Sequence, residues 1–340
     1  MNFSLNEDQA LFRATVERFA GSGDIEARKA ARRLPGGVDR ARWATLAELG
    51  LLALDDPIDC AVIAETLGRS LAVEPWLESG YFPLRLLGSA PEAADVAAGA
   101  TLMAVAFAEP GRRYALDPVT VRATEGDGGW TVSGTKTFIL GGGAADLFLV
   151  TALTGAGPAL FAVARDAVDP RPYAVIDGGL AAEIGFHDAP AKRLTGAVWA
   201  DAVAEARLMA AAETVGLAGR LFDDTLAYVR QREQFGQPIG RFQAVQHRLV
   251  DCYAMLEQMR STLWRAAMAG RGARWHAEMA GAKAFISERA LHIGHEAIQL
   301  HGGMGVTDEL TIGHAHKRVV LLSKLFGDPA SELASFAVAA

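Results

Sequence analysis

Arg230-Gln231-Arg232-Glu233-Gln234-Phe235-Gly236 closes one long helical pattern with two guanidinium groups, an aromatic ring and a glycine stop. Gln299-Leu300-His301-Gly302-Gly303-Met304-Gly305 closes a later one with an amide and a glycine-rich run of backbone. Such groups suit a dinucleotide. A guanidinium forks onto a pyrophosphate, an aromatic ring lies against adenine, and glycine lets backbone N–H groups approach phosphate or ribose with no Cβ in the way. The question this set raises is whether one chain completes the site.

Each group also has a plainer reading. A cation at a helix C-terminus is favoured by the macrodipole, Gln299 would cap its helix, and Gly303 would supply a left-handed turn. Their joint spacing favours function over three coincidences. His292 and His295 share a helix, but an H-E-x-x-H zinc motif would need histidine where Gln299 stands. Gly129 to Lys136 imitates a phosphate loop yet ends Gly134-Thr135-Lys136 among strand-like residues, so it reads as a hairpin. No G-x-S-x-G elbow appears, nor a G-x-G-x-x-G opening a helix after a strand.

Composition bounds the rest. The 340 residues, 51% of them hydrophobic, suffice for two or three domains with a large core. A net charge of -7 argues against a nucleic-acid partner, which needs clustered Lys and Arg. No long apolar run free of charge suggests a membrane span, and the first residues carry neither a basic leader nor an apolar signal core. A cytoplasmic location is expected. Cys60 and Cys252 lie far apart without metal-ligand spacing and read as core thiols.

The elements that must position these groups fall into three expected domains: helical (1–100), β-barrel-like (101–200) and a C-terminal four-helix bundle (201–340). Ser4 and Glu7 spell a capping box at the first helix. From Thr101, short β-branched and aromatic runs alternate with glycine turns: 102–107, 119–123, 130–132, 137–140, 147–150 and 160–163. Helical spacing then returns over 205–232, 242–269, 275–300 and 310–326. The class is mainly α with a central β domain.

Helical, β and bundle segments in that order, with R-x-x-F-G at Arg232 to Gly236 and Gln299 ahead of Gly302-Gly303-x-Gly305, resemble the acyl-CoA dehydrogenase family. The resemblance covers the whole chain. It extends to Glu109-Pro110-Gly111, similar to the family's flavin loop, and to Arg207 ahead of Gly216 in the first bundle helix. It implies FAD as cofactor and an acyl-CoA thioester as substrate. A carboxylate would remove the α-proton while the β-hydride passes to flavin, giving a 2-enoyl-CoA, and an electron-transfer flavoprotein would be the acceptor. Arg232, Phe235, Gln243, Gln299, Gly303 and Glu109 are the implied cofactor residues, and Arg207 the implied substrate contact.

The chain departs from the family pattern where chemistry is done. After the last bundle helix it reads Lys324-Leu325-Phe326-Gly327-Asp328-Pro329, without the usual Glu. The alternative base position, just before Arg207, is Ala206. Asp328, near the usual slot, is the remaining candidate base; Glu205 lies about 100° around the helix from Ala206. Phe138 is followed by Leu140 where a flavin-contacting Thr is usual, and Glu109-Pro110-Gly111 runs into Arg112-Arg113-Tyr114. The groups lost are those a subunit gives to its own flavin; Arg232, Phe235, Gln243, Gln299 and Gly303 match those given to a neighbour's. Phe107 to Arg112 and Leu325 to Asp328 are similar to the small subunits of pimeloyl-CoA and steroid-side-chain dehydrogenases, which implies a larger homologous partner supplying the base and a role in fatty acid or steroid degradation. The alternatives are an active homo-oligomer using Asp328 and a flavin-free structural subunit.

Overall fold

The computed structural model describes residues 5–338 except Val119 and Ala197. The order is helices, then strands, then helices. The first helices are α1 (Glu7–Ala20), α2 (Ile25–Arg32), α3 (Arg40–Glu48), α4 (Pro57–Arg69), α5 (Phe82–Leu87) and α6 (Glu92–Ala97). Strands β1 (Met103–Ala106), β2 (Arg122–Gly126), β3 (Gly129–Leu140), β4 (Leu147–Thr154), β5 (Gly157–Ala164), β6 (Arg171–Ala174) and β7 (Leu180–Leu194) follow. Then come α7 (Trp199–Gln231), the short β8 (Glu233–Gln234) and β9 (Gln237–Pro238), α8 (Gln243–Ala267), α9 (Trp275–His301), α10 (Thr311–Lys324) and α11 (Pro329–Val338). Ser4 of the expected capping box lies outside the described residues. The box that forms uses Asn6, whose side chain accepts from the Gln9 amide at 2.8 Å while the Asn6 amide donates to Gln9 Oε1 at 3.1 Å.

The chain divides into two compact units that cut across the expected boundaries. One combines Met1–Arg28, Asp55–Ala72 and Arg207–Ala340; the other combines Lys29–Leu54 and Val73–Ala206. In the first, α9 packs against α8, α10 and α11, and α1 and α8 both touch α4. The reason α4 folds with residues far down the chain is a pair of glycines. A Cβ on Gly216 of α7 would stand 1.9 Å from the Glu65 carbonyl oxygen, and one on Gly68 of α4 would stand 2.2 Å from that of Glu213. The two backbones meet directly, an approach only glycine allows. Ion pairs flank the crossing, Arg69 with Asp223 and Arg318 Nε with Glu213 Oε1 at 2.6 Å.

The second unit holds the sheet. Its strands follow β1-β4-β2-β3-β7-β5, and β5 pairs back onto β4, so the ring closes as a barrel with β6 along β7. Closure removes exposed strand edges. Inward residues alternate as the pleat requires and pack Phe148, Phe161, Phe186, Val132 and Ile184 together. Each such aromatic or branched side chain contributes about 1.5–3 kcal/mol by leaving water. Glycines 126 and 129 face each other across the β2–β3 turn, so the segment through Lys136 is a hairpin and not a phosphate loop. The stretches 130–132 and 137–140 are one strand, β3, interrupted by register shifts between Val132 and Gly134 and between Lys136 and Ile139.

Candidate flavin edge and the vacated base position

Helix α7 is apolar on nearly every face and runs for 33 residues, about 50 Å, so it is held by burial along much of its length. It stops in a two-residue hairpin. Gln234 pairs with Gln237, and between them Phe235 (φ 54°) and Gly236 (φ 78°) both lie in the left-handed region, the geometry of a type I′ turn. Asn or Asp is the usual first residue of such a turn; a phenylalanine there costs on the order of 1–2 kcal/mol. Burial does not offset it, because the ring is 92% exposed. Phe242 meets it edge-on, ring centres 6.2 Å apart, and fixes its direction.

Arg232, Gln243, Gln299 and Gly303 are exposed as well. The ends of α7 and α9 are joined by the His301 ring, which stacks on Tyr228 with centres 4.2 Å apart. The Arg232 amide donates to the Tyr228 carbonyl at 2.8 Å, and the Gly302 amide caps Gln299. The structure thus links the Arg232 and Gln299 segments through one stacked pair and leaves their polar groups facing solvent.

Glu109 sits differently from that set. Its carboxylate is buried in the barrel unit: Oε2 accepts from the Thr120 amide and hydroxyl, both at 2.8 Å, and Oε1 from the Val121 amide at 3.2 Å. Lys136 Nζ, with no solvent exposure, lies 3.1 Å from Oε1 and also donates to the Phe107 carbonyl and Thr151 hydroxyl at 3.0 Å. Burial alone would raise the Glu109 pKa, but the Thr120 hydrogen bonds and the Lys136 charge hold it at about 2. Burial pulls Lys136 down to about 8 against the pull of Glu109. The side chain is committed to the barrel, so any flavin contact at this loop would come from its backbone. Phe138, near the missing hydroxyl, takes φ 52° at the second register shift, and its amide donates to the Tyr173 hydroxyl at 3.0 Å.

The carboxylates near the two base positions are all engaged within the chain. Asp328 is the N-cap of α11, accepting from the Ser331 amide at 2.9 Å, with Lys324 3.9 Å away. Glu205 is buried, 3.2 Å from Arg85 Nε and within 3.3 Å of the Tyr81 hydroxyl that donates to it. Arg207, expected as a substrate contact, is paired with Glu332: its Nε is 3.0 Å from Oε1 and 2.9 Å from Oε2. Lys283 donates to the Gly327 carbonyl at 2.7 Å beside them, and burial lowers its pKa to about 8. Glu332, Lys283 and Lys136 were not singled out in the sequence. Only one signal was there: Asp328-Pro329 spells an N-cap followed by proline, announcing the α11 that carries Glu332.

The family description "Acyl-CoA dehydrogenase, C-terminal domain" matches residues 197–334. Acyl-CoA dehydrogenase FadE27 of Mycobacterium tuberculosis is 31% identical over 303 residues, covering 79% of this chain and 79% of that protein. The chain belongs to the acyl-CoA dehydrogenase family. Acyl-CoA dehydrogenase IpdE2 of Mycolicibacterium smegmatis is 29% identical, over 97% of both chains. Among solved structures, the ChsE4-ChsE5 complex from Mycobacterium tuberculosis superposes with a TM-score of 0.90 at 25% identity, covering 99% of this chain and 98% of that one. The Tcur3481-Tcur3483 steroid ACAD gives 0.89 at 27%, with the same coverage. The family uses FAD and oxidises CH–CH bonds of acyl-CoA thioesters, and the architecture of N-terminal helices, central β-barrel and C-terminal helices is its fold.

Proposed function

We propose that this chain is a subunit of an FAD-dependent acyl-CoA dehydrogenase that completes a flavin site across a subunit interface, with a larger homologous partner supplying the catalytic base. The observation that carries the reading is Phe235, held in a left-handed turn with its ring in water, a conformation that neither local preference nor the chain's own core explains. Strain of this kind persists where the surroundings or a ligand require it. Bound FAD would supply the hydride acceptor. Toward it, Arg232 would grip the pyrophosphate, Phe235 would lie on the adenine, and the Gln243, Gln299 and Gly303 groups would hold the remaining polar edge.

The partner-supplied base is supported by the engagement of the carboxylates next to each position within its own unit: Asp328 and Glu332 by Gly327, and, separately, Glu205 by Ala206. The relatives described as two-chain assemblies, ChsE4-ChsE5 and the Tcur3481-Tcur3483 steroid ACAD, support a heteromer and a role in steroid or fatty acid degradation. An electron-transfer flavoprotein is the proposed acceptor and the cytoplasm the proposed location; among the described residues no helix is long and apolar enough to cross a membrane. The test is purification with and without the co-expressed larger subunit, reading the visible flavin band. Little flavin in the lone chain, full occupancy in the pair and loss of it on Arg232→Ala are expected. Full occupancy and normal turnover in the lone chain would sink the proposal.

A further inference from the structure

The resemblance places the missing glutamate one or two residues before Asp328; with glycine at 327 its loss would ordinarily leave a hole, which beside the reacting atoms would be room for a bulky acyl group. The structure shows that space filled. A Cβ built on Gly327 would lie 2.3 Å from Glu332 Oε1 and 2.9 Å from its carboxyl carbon. Glu332 reaches there from the first turns of α11, five residues on, and its side chain is 1% exposed. Its charge is met by Arg207 of α7, itself 15% exposed, while Lys283 of α9 is bonded to the Gly327 carbonyl. Three helices and the loop between α10 and α11 therefore converge on one carboxylate. Any side chain at 327 would also suffer strain, since Gly327 takes φ 148°.

A buried, ion-paired carboxylate behind the chain surface is poorly placed to take a proton from a substrate carbon, which must come within hydrogen-bond reach of a base. The same carboxylate is well placed as a counter-ion. Without it, Arg207 would lose its paired charge and the buried Lys283 the stronger of its two neighbouring carboxylates, leaving it Asp328 alone, a loss that destabilises.

We propose that Glu332 is an internal replacement for the absent carboxylate at 327: it fills that side chain's volume, pairs with Arg207, and seals the chain's own base position against acyl groups. The inference rests on the reading of this chain as the member lacking its own base, and goes beyond it in assigning Glu332 a place and closing the space to substrate. The test uses the co-purified complex and four variants: Glu332→Gln, Glu332→Ala, Gly327→Ala and the double variant Gly327→Ala/Glu332→Ala. Glu332→Gln should leave turnover within about two-fold while lowering the melting temperature. Gly327→Ala should lower it too, and by clearly less in the Glu332→Ala background, because the clash is then gone and only backbone strain remains. Equal costs in both backgrounds would refute the seal while leaving the partner-base reading intact. A loss of turnover beyond about a hundred-fold on Glu332→Gln, with assembly and flavin content unchanged, would instead make Glu332 the base and overturn both.

Discussion

Replacing Glu109 by Gln separates a barrel residue from a flavin ligand. The amide keeps one acceptor for Thr120 but presents its NH2 to another donor, the Val121 amide or Lys136 Nζ. Lys136 then stands fully buried without its counter-charge. Breaking a buried pair by removing one partner costs about 3–5 kcal/mol, which on the scale of a domain of 150–250 residues lowers the melting temperature by roughly 6–20 °C. The pH dependence is more specific. In the parent chain Lys136 is protonated below about 8, in the folded as in the unfolded state, so its proton adds no slope there. In the variant its folded pKa falls further, while the unfolded lysine keeps an ordinary value. The unfolded state then binds more protons, and stability rises with pH by up to about 1.4 kcal/mol per unit. The deficit should therefore narrow as pH approaches 8 and stay level above it, where both proteins share the slope. Thermal melts across pH 6.5–9 at fixed ionic strength, with flavin content measured alongside, read both effects. An unchanged melting temperature with lost flavin would refute the reasoning and turn the carboxylate toward the cofactor.

Asp328→Asn keeps a good N-cap, so stability should hardly move; turnover of the assembled enzyme should also stay within about two-fold, and a hundred-fold loss would restore Asp328 as base. Gly216→Ala puts a methyl 1.9 Å from the Glu65 carbonyl oxygen and should destabilise by about 3 kcal/mol or prevent soluble expression, in urea titrations. Gly219→Ala, three residues on, meets the flexible ends of Arg69 at 3.0 Å and Arg260 at 3.6 Å and should be neutral or gain up to about 1 kcal/mol of helix propensity. Burial, with a smaller contribution from His295, pushes His316 down to about 4. Its folded pKa lies below the unfolded one, so stability should fall as pH drops from about 6.5 to about 4, by on the order of 1–2 kcal/mol after allowance for its partial exposure. His316→Gln should flatten that limb of the acid denaturation curve.

The long helices were legible because burial imposes one period: the expected 275–300 and 310–326 became Trp275–His301 and Thr311–Lys324. Strand β7 was not, although it is the longest. Its outward residues, among them His187, Asp188, Lys192 and Arg193, and its Pro190 read as loop; what makes it a strand is pairing with β3, β5 and β6, none of it local. The proposed flavin edge was readable as spacing, since Arg232, Phe235, Gln299 and Gly303 lie in two short runs at helix ends. The filling of the base position was not: Glu332 looks like a solvated charge on a short amphipathic helix, and its partner Arg207 is 125 residues away. Long-range pairing of that kind leaves no mark on spacing.

The glycine crossing of α4 and α7 also sets a schedule for synthesis. Gly68 emerges well ahead of Gly216, and at about 5–20 residues per second the interval is roughly 7–30 s. Through that time the face of α4 that carries Glu65 and Gly68 lacks the α7 backbone it meets in the folded chain, with α1 already made to pack on the helix. Ribosome-stalled chains ending before Arg207 should be cut by protease within α4, and chains extended past α7 should be protected there. The helix that leads into the proposed flavin edge is thus also the one whose arrival allows the first part of the chain to finish folding.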